Sequence, residues 1–320
     1  MSAGISFQEA LQLTKLHEKN EILELIDRAN EVRKKYRANT VDLCSIVNAK
    51  SGRCEEDCIY CAQSAMYTTH TDVYEMKSVE AIVDHAKAAE EAGAHRFCIV
   101  TKGRSLPPAD FEIALHATER IAQETSLKRC ASMGLLNEER AQALKEAGLC
   151  RYNHNLETAK SYYPYICTTH TYEDRVQTIT SLRRAGIETC VGGILNMGES
   201  EEQKIELAFE LKEIEPDSVP INFLNPRAGT PLYGRALLAP LDAVKYIAIY
   251  RLVMPQTIIR IAGGRVENLG DLQMLGVKAG ADGLLIGNYL TTIGVDPSED
   301  LTMLRKMGLD VSGECRPCLP

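Results

Sequence analysis

The chain of 320 residues has a formal net charge of -8 and contains 45% hydrophobic and 25% charged residues, the balance of a globular protein. Its acidic charge, with no cluster of Lys and Arg, argues against a nucleic-acid partner. No apolar stretch approaches the ~20 residues of a membrane span, and residues 1–9 lack the pattern of a signal peptide, so we expect a cytoplasmic protein with no membrane partner.

The predicted elements begin with two amphipathic helices. Ser6 and Glu9 have the spacing of a capping box, and the helix they start is predicted to run to about Lys19. Apolar residues at helical spacing then continue through residues 21–38. Residues 1–40 are therefore predicted to form an N-terminal helical extension.

Beyond residue 40, short apolar segments alternate with amphipathic ones. The predicted strands are 41–47, 95–100, 128–133, 150–155, 188–194, 218–223, 257–262 and 283–287. The predicted helices are 79–92, 108–125, 137–147, 172–185, 201–213, 241–253 and 267–279. Four of these helices end in Ala-Gly, and glycine there supplies the left-handed residue that closes a helix. The alternation continues from the first strand to the last.

Eight βα units in roughly 250 residues indicate an α/β fold, a (βα)8 TIM-type barrel. We assign the barrel to residues 41–295 and a C-terminal tail to residues 296–320. A doubly wound open sheet is the alternative. It is less favoured because no Gly-x-Gly-x-x-Gly fingerprint follows any predicted strand.

Three cysteines stand in the loop after the first predicted strand. Cys54, Cys58 and Cys61 have the spacing Cys-x3-Cys-x2-Cys, which suits one metal centre and would leave one thiol over if disulfides formed. A structural zinc site has four protein ligands, whereas a cube of iron and sulfur held by three cysteines leaves one iron free. Barrel active sites lie at the C-terminal ends of the strands, where this loop is predicted to lie.

Three more cysteines lie within predicted strands. Cys98, Cys130 and Cys190 could each be a small buried hydrophobe. On three strands of a closed barrel, however, inward-facing side chains converge on the axis. Arg260 lies on a further strand, and a charged residue inside an apolar strand is rare unless it is paired or functional. We therefore predict a second ligand set, with the arginine among thiolates.

Asparagines also interrupt the predicted strands. Asn153, Asn155 and Asn222 replace apolar residues, and carboxamides there could hold an amide-like or urea-like ligand through donors and acceptors together. His154 is interpreted as a structural histidine that points outward or is hydrogen-bonded.

The remaining cysteines are less informative. Cys315 and Cys318 form a Cys-x2-Cys pair in the tail, which could be a disordered thiol pair, a redox pair or two cluster ligands. Cys44 and Cys150 are interpreted as core residues, and the role of Cys167 is left undecided.

The residues together resemble radical S-adenosylmethionine (SAM) enzymes and, more narrowly, the biotin synthase family. The triplet alone resembles only the superfamily. The narrower resemblance covers roughly residues 6–310 and rests on the segments 51–64, 96–98, 152–158, 190–194, 218–222 and 260–265.

The resemblance implies a full barrel, usually a homodimer, that acts on dethiobiotin with an electron donor such as flavodoxin or ferredoxin. It implies that Cys54, Cys58 and Cys61 hold a [4Fe-4S] cluster whose open iron binds SAM. It also implies an auxiliary [2Fe-2S] cluster on Cys98, Cys130, Cys190 and Arg260.

The remaining implied roles concern the two small molecules. Tyr60 would seat the adenine of SAM, Asn155 and Glu157 its ribose, and Arg175 its methionine carboxylate. Asn153 and Asn222 would hold the ureido ring of dethiobiotin, with Asn155 also near it. The implied reaction forms 5'-deoxyadenosyl radicals from SAM and quenches the substrate radicals with sulfide from the auxiliary cluster. No side chain is predicted to be catalytic, because the cofactors carry the radical chemistry.

Three features depart from the family pattern. Residues 99–103 replace a segment of small residues and tryptophan, His170 stands where an arginine is usual, and the terminal Cys315 and Cys318 are extra. We hypothesise a variant with a larger, four-iron auxiliary cluster to which the tail supplies a ligand, although the retained Cys130 and Arg260 argue for the smaller cluster.

Two other functions are compatible with the triplet. One is a different radical enzyme on the same barrel, such as a hydrogenase maturase relative, which is not expected to share the strand cysteines. The other is a non-enzymatic iron–sulfur or zinc-binding module, which gives no reason for polar side chains along the strands.

Overall fold

The computed structural model describes residues 4–312, so the predicted ligands Cys315 and Cys318 lie outside the described residues. The helices are α1 Phe7–Thr14, α2 Lys19–Arg37, α3 Val79–Glu91, α4 Pro108–Glu124, α5 Glu138–Glu146, α6 Tyr172–Arg184, α7 Glu201–Ile214, α8 Pro240–Val253, α9 Arg265–Leu269, α10 Gln273–Lys278 and α11 Pro297–Lys306. The strands are β1 Asp42–Lys50, β2 Arg96–Thr101, β3 Lys128–Ser132, β4 Arg151–Asn153, β5 Glu188–Cys190, β6 Gly193–Leu195, β7 Ser218–Phe223, β8 Ile258–Ile261 and β9 Gly283–Leu285.

The strands form one closed parallel barrel. Their order is β5-β4-β3-β2-β1-β9-β8-β7-β6, and an additional pairing of β5 with β7 closes the ring. Segments β5 and β6 together occupy one strand position, so eight positions surround the axis. The predicted (βα)8 barrel is confirmed, and its helices pack outside the sheet as the alternating pattern requires.

The fifth predicted strand, 188–194, is interrupted, which the sequence pattern did not indicate. Pro220 of β7 faces the gap and has no N–H to donate to a neighbouring strand. A Cβ on Gly192 would lie 1.9 Å from the carbonyl oxygen of Pro220, so only glycine fits there. The Gly192 carbonyl turns instead to accept hydrogen bonds from the backbone of Leu156 and Glu157.

Two predictions near the C-terminus were wrong in detail. The single helix predicted over 267–279 is divided into α9, a short 3-10 turn and α10, because Gly270 adopts a φ of 48°. The segment 296–320 was predicted as a tail, yet it contains α11, whose Leu304 is fully buried against the barrel. Asp300 of α11 forms an ion pair with Arg265 at 2.5 Å, and both side chains are buried.

The N-terminal helices pack against the outside of the barrel. The ring of Phe7 packs at a tilt of 58° against the ring of Phe209 of α7, with centroids 5.3 Å apart. Lys245 of α8 donates to carbonyl oxygens at the end of α1. Ser6 caps α1 as predicted. The reciprocal half of the capping box is replaced, because the Glu9 carboxylate pairs with Arg28 at 2.7 Å. Within residues 4–312, no helix combines the length and the apolar character that crossing a membrane requires.

Candidate active site

A cavity of about 430 Å³ fills the barrel interior between its floor and the loops after the strands. Side chains from several strands and loops point into it. Among the lining residues are Cys44, Cys61, Cys98, Cys130, Cys190, Arg96, Arg151, Arg260, Tyr60, Asn153, Asn155, Glu157 and Asn222. Of the predicted site residues within 4–312, Cys54, Cys58 and Arg175 do not line this cavity.

The cysteine triplet lies in the loop after β1, as predicted. Backbone hydrogen bonds tie this loop to itself: Cys54 N–H donates to the Gln63 carbonyl at 2.7 Å, and Cys61 N–H donates to the Cys58 carbonyl at 3.0 Å. Burial raises the pKa of Cys54, and burial also raises the pKa of Cys61. The loop is therefore held in one conformation by its own backbone, with the thiols largely removed from solvent.

The spacing of the three loop thiols fits a cluster better than a single ion. Two metal–sulfur bonds of about 2.3 Å keep any two sulfurs on one ion within about 4.6 Å of each other. Within the described part of the chain, the only group of three His, Cys, Asp or Glu ligand atoms that all lie within 4.8 Å is Cys58, Cys167 and His170. At least one pair of the three loop sulfurs is therefore more than 4.8 Å apart, which is too far for one zinc ion and compatible with a multi-iron cluster.

A second group of thiols lies deeper in the barrel. Strand register places Cys98 beside Cys130 and places Asn153 beside Cys190. Cys44, which was interpreted as core, belongs to this group because it packs with Cys98 and Cys130 in one buried cluster. The neighbouring Cys44 thiol lowers the pKa of Cys130, and Arg96 and Arg151 lower it further because they stabilise the thiolate.

The charged floor beneath these thiols rests on Asp42, which the sequence analysis missed. Arg260 was expected to pair with thiolates, but its guanidinium lies 3.3 Å from the Asp42 carboxylate and donates to the Asp42 carbonyl at 3.0 Å. Arg96 and Arg151 share the same carboxylate at 2.9 and 3.4 Å. Burial alone would raise the pKa of Asp42, but the three guanidiniums together hold it well below its usual range.

The floor therefore carries more positive than negative charge. Three buried guanidiniums surround one buried carboxylate, and Glu188 at the rim reaches two of them. One nitrogen of Arg96, Nη1, is buried and has no hydrogen-bond partner within residues 4–312. Buried charge is costly unless it is compensated, and metal-bound thiolates above the floor would compensate it.

The asparagine side chains differ in how many of their polar atoms already have hydrogen-bond partners. The Oδ1 atom of Asn153 is buried and has no hydrogen-bond partner in the described part of the chain, as expected for an acceptor that a ligand donor would satisfy. Asn222 instead donates to the Gly193 carbonyl at 3.1 Å and accepts from Gly263 N–H at 2.8 Å. His154 is buried rather than outward-facing, and its Nε2 has no hydrogen-bond partner among the described residues.

Glu157 and Asn155 lie near the mouth of the cavity and are fixed by Arg175. The guanidinium of Arg175 donates to the Asn155 carbonyl at 2.9 Å and to the Tyr163 hydroxyl at 2.8 Å, and lies 3.6 Å from Glu157. Glu157 adopts a φ of 70°, which is uncommon outside glycine. Burial raises the pKa of Glu157, although Arg175 and Tyr60 oppose the rise. Arg175 thus orients cavity residues without lining the cavity itself.

Cys167 and His170 form a further group that the sequence analysis did not assemble. The Cys167 sulfur lies 3.7 Å from the Cys58 sulfur and 3.3 Å from His170 Nδ1. His170 Nδ1 also contacts the carboxylate of Glu56. The hydrogen bond to Cys58 lowers the pKa of Cys167. The sequence did not predict this contact because Cys167 lies far from the triplet along the chain.

Comparison with protein families and known proteins agrees with this geometry. Residues 49–211 match the Radical SAM superfamily, and residues 220–310 match the Biotin and Thiamin Synthesis associated domain. A biotin synthase from Gloeothece citriformis is 49% identical over 320 residues, 97% of this chain and 89% of the relative. A biotin synthase from Heliobacterium modesticaldum is 50% identical over 295 residues, 92% of this chain and 90% of the relative.

Solved structures share the fold at low sequence identity. Methylornithine synthase superposes with a TM-score of 0.82 at 21% identity, covering 97% of this chain and 94% of that one. The hydrogenase maturase HydG from Carboxydothermus hydrogenoformans superposes with a TM-score of 0.81 at 17% identity, covering 96% of this chain and 75% of that one. The maturase named above as an alternative thus shares the barrel.

The barrel, the cysteine loop and the superfamily match define a radical SAM enzyme. Within that class, near 49% identity over almost the whole chain decides the family. The chain belongs to the biotin synthase family, whose members are radical SAM enzymes that insert sulfur.

Proposed function

We propose that the chain converts dethiobiotin to biotin, the last step of biotin biosynthesis, and that its auxiliary cluster is the sulfur source. The observation that carries this proposal is the group of strand thiols around one cavity beneath the cysteine loop. When bound, the [4Fe-4S] cluster and SAM supply the radical that removes hydrogen from substrate, and the auxiliary cluster supplies sulfide. The chain itself binds, orients and encloses these groups.

The loop thiols of Cys54, Cys58 and Cys61 are proposed to hold the [4Fe-4S] cluster. Their spacing exceeds that of a single-ion site, which supports a multi-iron group. Tyr60, at the mouth of the cavity, would contact the adenine of SAM.

The ribose of SAM would meet Asn155 and Glu157, which also line the cavity mouth. The resemblance assigns Arg175 to the methionine carboxylate. Its guanidinium is buried and already bonded to Asn155 and Tyr163, which supports a positioning role for it beside any contact with SAM.

Substrate is proposed to lie between the mouth and the deep thiols. The buried acceptor of Asn153 would take an N–H of the ureido ring. Asn222 keeps one amide hydrogen that no protein group accepts in the described residues, so it would donate to the ureido oxygen while its other atoms stay on the backbone. Asn155 would lie near the same ring.

The auxiliary cluster is proposed to bind Cys98, Cys130, Cys190 and Arg260, with the Cys44 thiol as an additional donor. Excess positive charge on the floor and the unpartnered Arg96 nitrogen support an anionic, thiolate-bound group there. Five donors on the barrel wall are compatible with the [2Fe-2S] form and with a four-iron form. Whether Cys315 and Cys318 add a ligand is tested by Mössbauer spectra of the Cys315→Ala/Cys318→Ala protein, whose unchanged auxiliary cluster would reject the tail ligand.

The remaining parts of the proposal concern partners. We infer a low-potential electron donor such as flavodoxin or ferredoxin, a homodimer and a cytoplasmic location. Sedimentation of the purified chain tests the dimer.

The decisive experiment gives anaerobically reconstituted enzyme dethiobiotin, SAM and a reductant, then measures biotin and 5'-deoxyadenosine. Both products are expected. Deoxyadenosine without biotin would keep the superfamily chemistry and reject the substrate. The absence of both, with the [4Fe-4S] cluster present by its absorption and iron content, would reject the radical reaction.

A further inference from the structure

Two neighbouring loops bring a third set of metal-binding side chains together. The segment 166–170 is docked on the cysteine loop by several hydrogen bonds. Ile59 N–H donates to the Ile166 carbonyl at 3.0 Å, and Thr168 N–H donates to the Asp57 carboxylate at 2.9 Å. The side chains between these bonds are therefore held in fixed positions.

The donor atoms of this set have the separations of a mononuclear site. The sulfurs of Cys58 and Cys167 lie 3.7 Å apart, and two metal–sulfur bonds of about 2.3 Å at a tetrahedral angle would separate them by about 3.8 Å. His170 Nδ1 lies 3.3 Å from the Cys167 sulfur, close to the ~3.6 Å that tetrahedral geometry gives for sulfur and nitrogen. All three side chains are buried.

A carboxylate positions the histidine of this set. The Glu56 carboxylate contacts His170 Nδ1 and accepts a hydrogen bond from the Thr169 hydroxyl at 2.7 Å. Two sulfurs and one imidazole nitrogen, with solvent as the fourth ligand, suit a thiophilic divalent cation such as Fe²⁺, Co²⁺ or Zn²⁺. The set also includes two residues that the radical reaction leaves without a role, Cys167 and His170.

We propose that Cys58, Cys167 and His170 bind one Fe²⁺ in the cluster-free protein, with solvent as the fourth ligand and Glu56 holding the imidazole in place. Both sulfurs bind as thiolates, and the proton that the Cys58 and Cys167 sulfurs share is released to solvent. Cys58 is shared with the [4Fe-4S] triplet, so the mononuclear site and the finished cluster exclude each other. The site therefore receives the first iron during assembly, and Cys58 keeps it as the cluster forms. The loading role rests on the proposed function, whereas binding of Fe²⁺ to the cluster-free protein does not.

Cobalt binding to the cluster-free, full-length chain tests the site, because Co²⁺ reports thiolate ligation through charge-transfer absorption. Wild-type protein is expected to bind one Co²⁺ in a tetrahedral site. Cys167→Ala and His170→Ala are each expected to weaken Co²⁺ binding at least ~10-fold. Loss of a residue that only hydrogen-bonds to a metal ligand already lowers metal affinity by that factor, and loss of the ligand itself should lower it at least as much. Cys61→Ala is the matched control and is expected to bind Co²⁺ as wild type does.

The reverse pattern would overturn the proposal. If Cys61→Ala abolishes Co²⁺ binding while Cys167→Ala keeps wild-type affinity, the triplet alone holds the metal. Circular dichroism checks that each variant is folded. Cys167→Ser retains the size of the side chain, and it should still weaken Co²⁺ binding if the thiol is the ligand.

Assembly kinetics test the loading role separately. With sulfide and equal amounts of Fe²⁺ and Fe³⁺, which balance the electrons of a [4Fe-4S]²⁺ cluster, Cys167→Ala is expected to form the cluster several-fold more slowly and to reach the same final content. Equal rates in the variant and wild type would contradict loading. A failure to convert dethiobiotin would reject the proposed function and leave the cobalt result unaffected.

Discussion

Cys44 contributes a thiol where a small apolar side chain would fill the same space. It packs with Cys130 at the level where the cavity meets the arginine floor. The interaction between the two thiols raises the pKa of Cys44 and lowers that of Cys130. A metal at this level would displace the proton of the Cys44 thiol and gain a fourth sulfur ligand.

We predict that Cys44→Ala changes the auxiliary cluster and spares the loop cluster. The Mössbauer and absorption spectra of the auxiliary cluster should shift, while the electron paramagnetic resonance signal of the reduced [4Fe-4S] cluster should persist. Ser45→Ala, the adjacent change on the same strand, is the control and should alter neither. An auxiliary spectrum identical to wild type would remove Cys44 from the ligand set.

Residue type and spacing predicted the cysteine loop and three of the strand thiols, because those signals are local. Cys44 and Asp42 were not predicted as site residues. Their roles depend on which strands pair side by side, and β1 meets β2 and β9 across long stretches of chain. His170 was noticed only as a departure from the family, since its contact with Glu56 spans 114 residues.

At the scale of single elements, helix α7 carries a carboxylate with an unusual environment. Glu210 accepts Lys160 N–H at 3.0 Å, and Glu206 is nearby on the same helix. Burial, with Glu206 adding to it, raises the pKa of Glu210 to about 7 from 4.5. Between those values the folded chain holds a proton that the unfolded chain has lost, so the free energy of unfolding decreases as the pH rises through this window.

We predict that Glu210→Gln flattens this dependence. Free energies of unfolding measured from about pH 4.5 to about pH 7.5 should fall less in the variant than in wild type. Glu202→Gln, an exposed change on the same helix, should leave the wild-type slope intact. An equally steep decline in Glu210→Gln would show that another group titrates.

Helix α11 is an integral part of the barrel, and its ion pair tests this. Asp300→Asn leaves the Arg265 guanidinium buried with a weaker partner, and breaking such a pair costs about 3–5 kcal/mol. The expected result is a lower free energy of unfolding in denaturant titrations. Glu299→Gln, an exposed change one residue away, should lower the free energy of unfolding far less. Equal losses in the two variants would mean that the pair adds no stability.

Element types followed from local periodicity, except for the gap in the fifth strand and for helix α11. The gap at Gly192 arises because Pro220 on the next strand cannot donate a hydrogen bond, which residues 188–194 alone cannot reveal. Helix α11 was missed because its stability comes from burial of Leu304 and from the pair with Arg265, a residue 35 positions away from Asp300 along the chain.

At the scale of the whole molecule, one carboxylate joins four strands. Asp42 of β1 contacts Arg96 of β2, Arg151 of β4 and Arg260 of β8. We predict that Asp42→Asn lowers the free energy of unfolding by at least about 3–5 kcal/mol, because three buried guanidiniums lose their shared counter-charge. Denaturant titration measures the loss, and Asp84→Asn on the exposed face of α3 is the control. A loss of stability no larger than that of the control would contradict the role of Asp42 as the shared counter-charge.

The charged floor also has a kinetic consequence. Asp42, Arg96, Arg151 and Arg260 are all at least 95% buried, so they close the barrel at that end. In the part of the chain that the structure describes, a small molecule then reaches the deep thiols through the mouth that Tyr60 and Glu157 border. Whatever binds deepest must arrive first and depart last. Dethiobiotin should therefore precede SAM, and any renewal of the sacrificed sulfur through this mouth must wait until both small molecules have left.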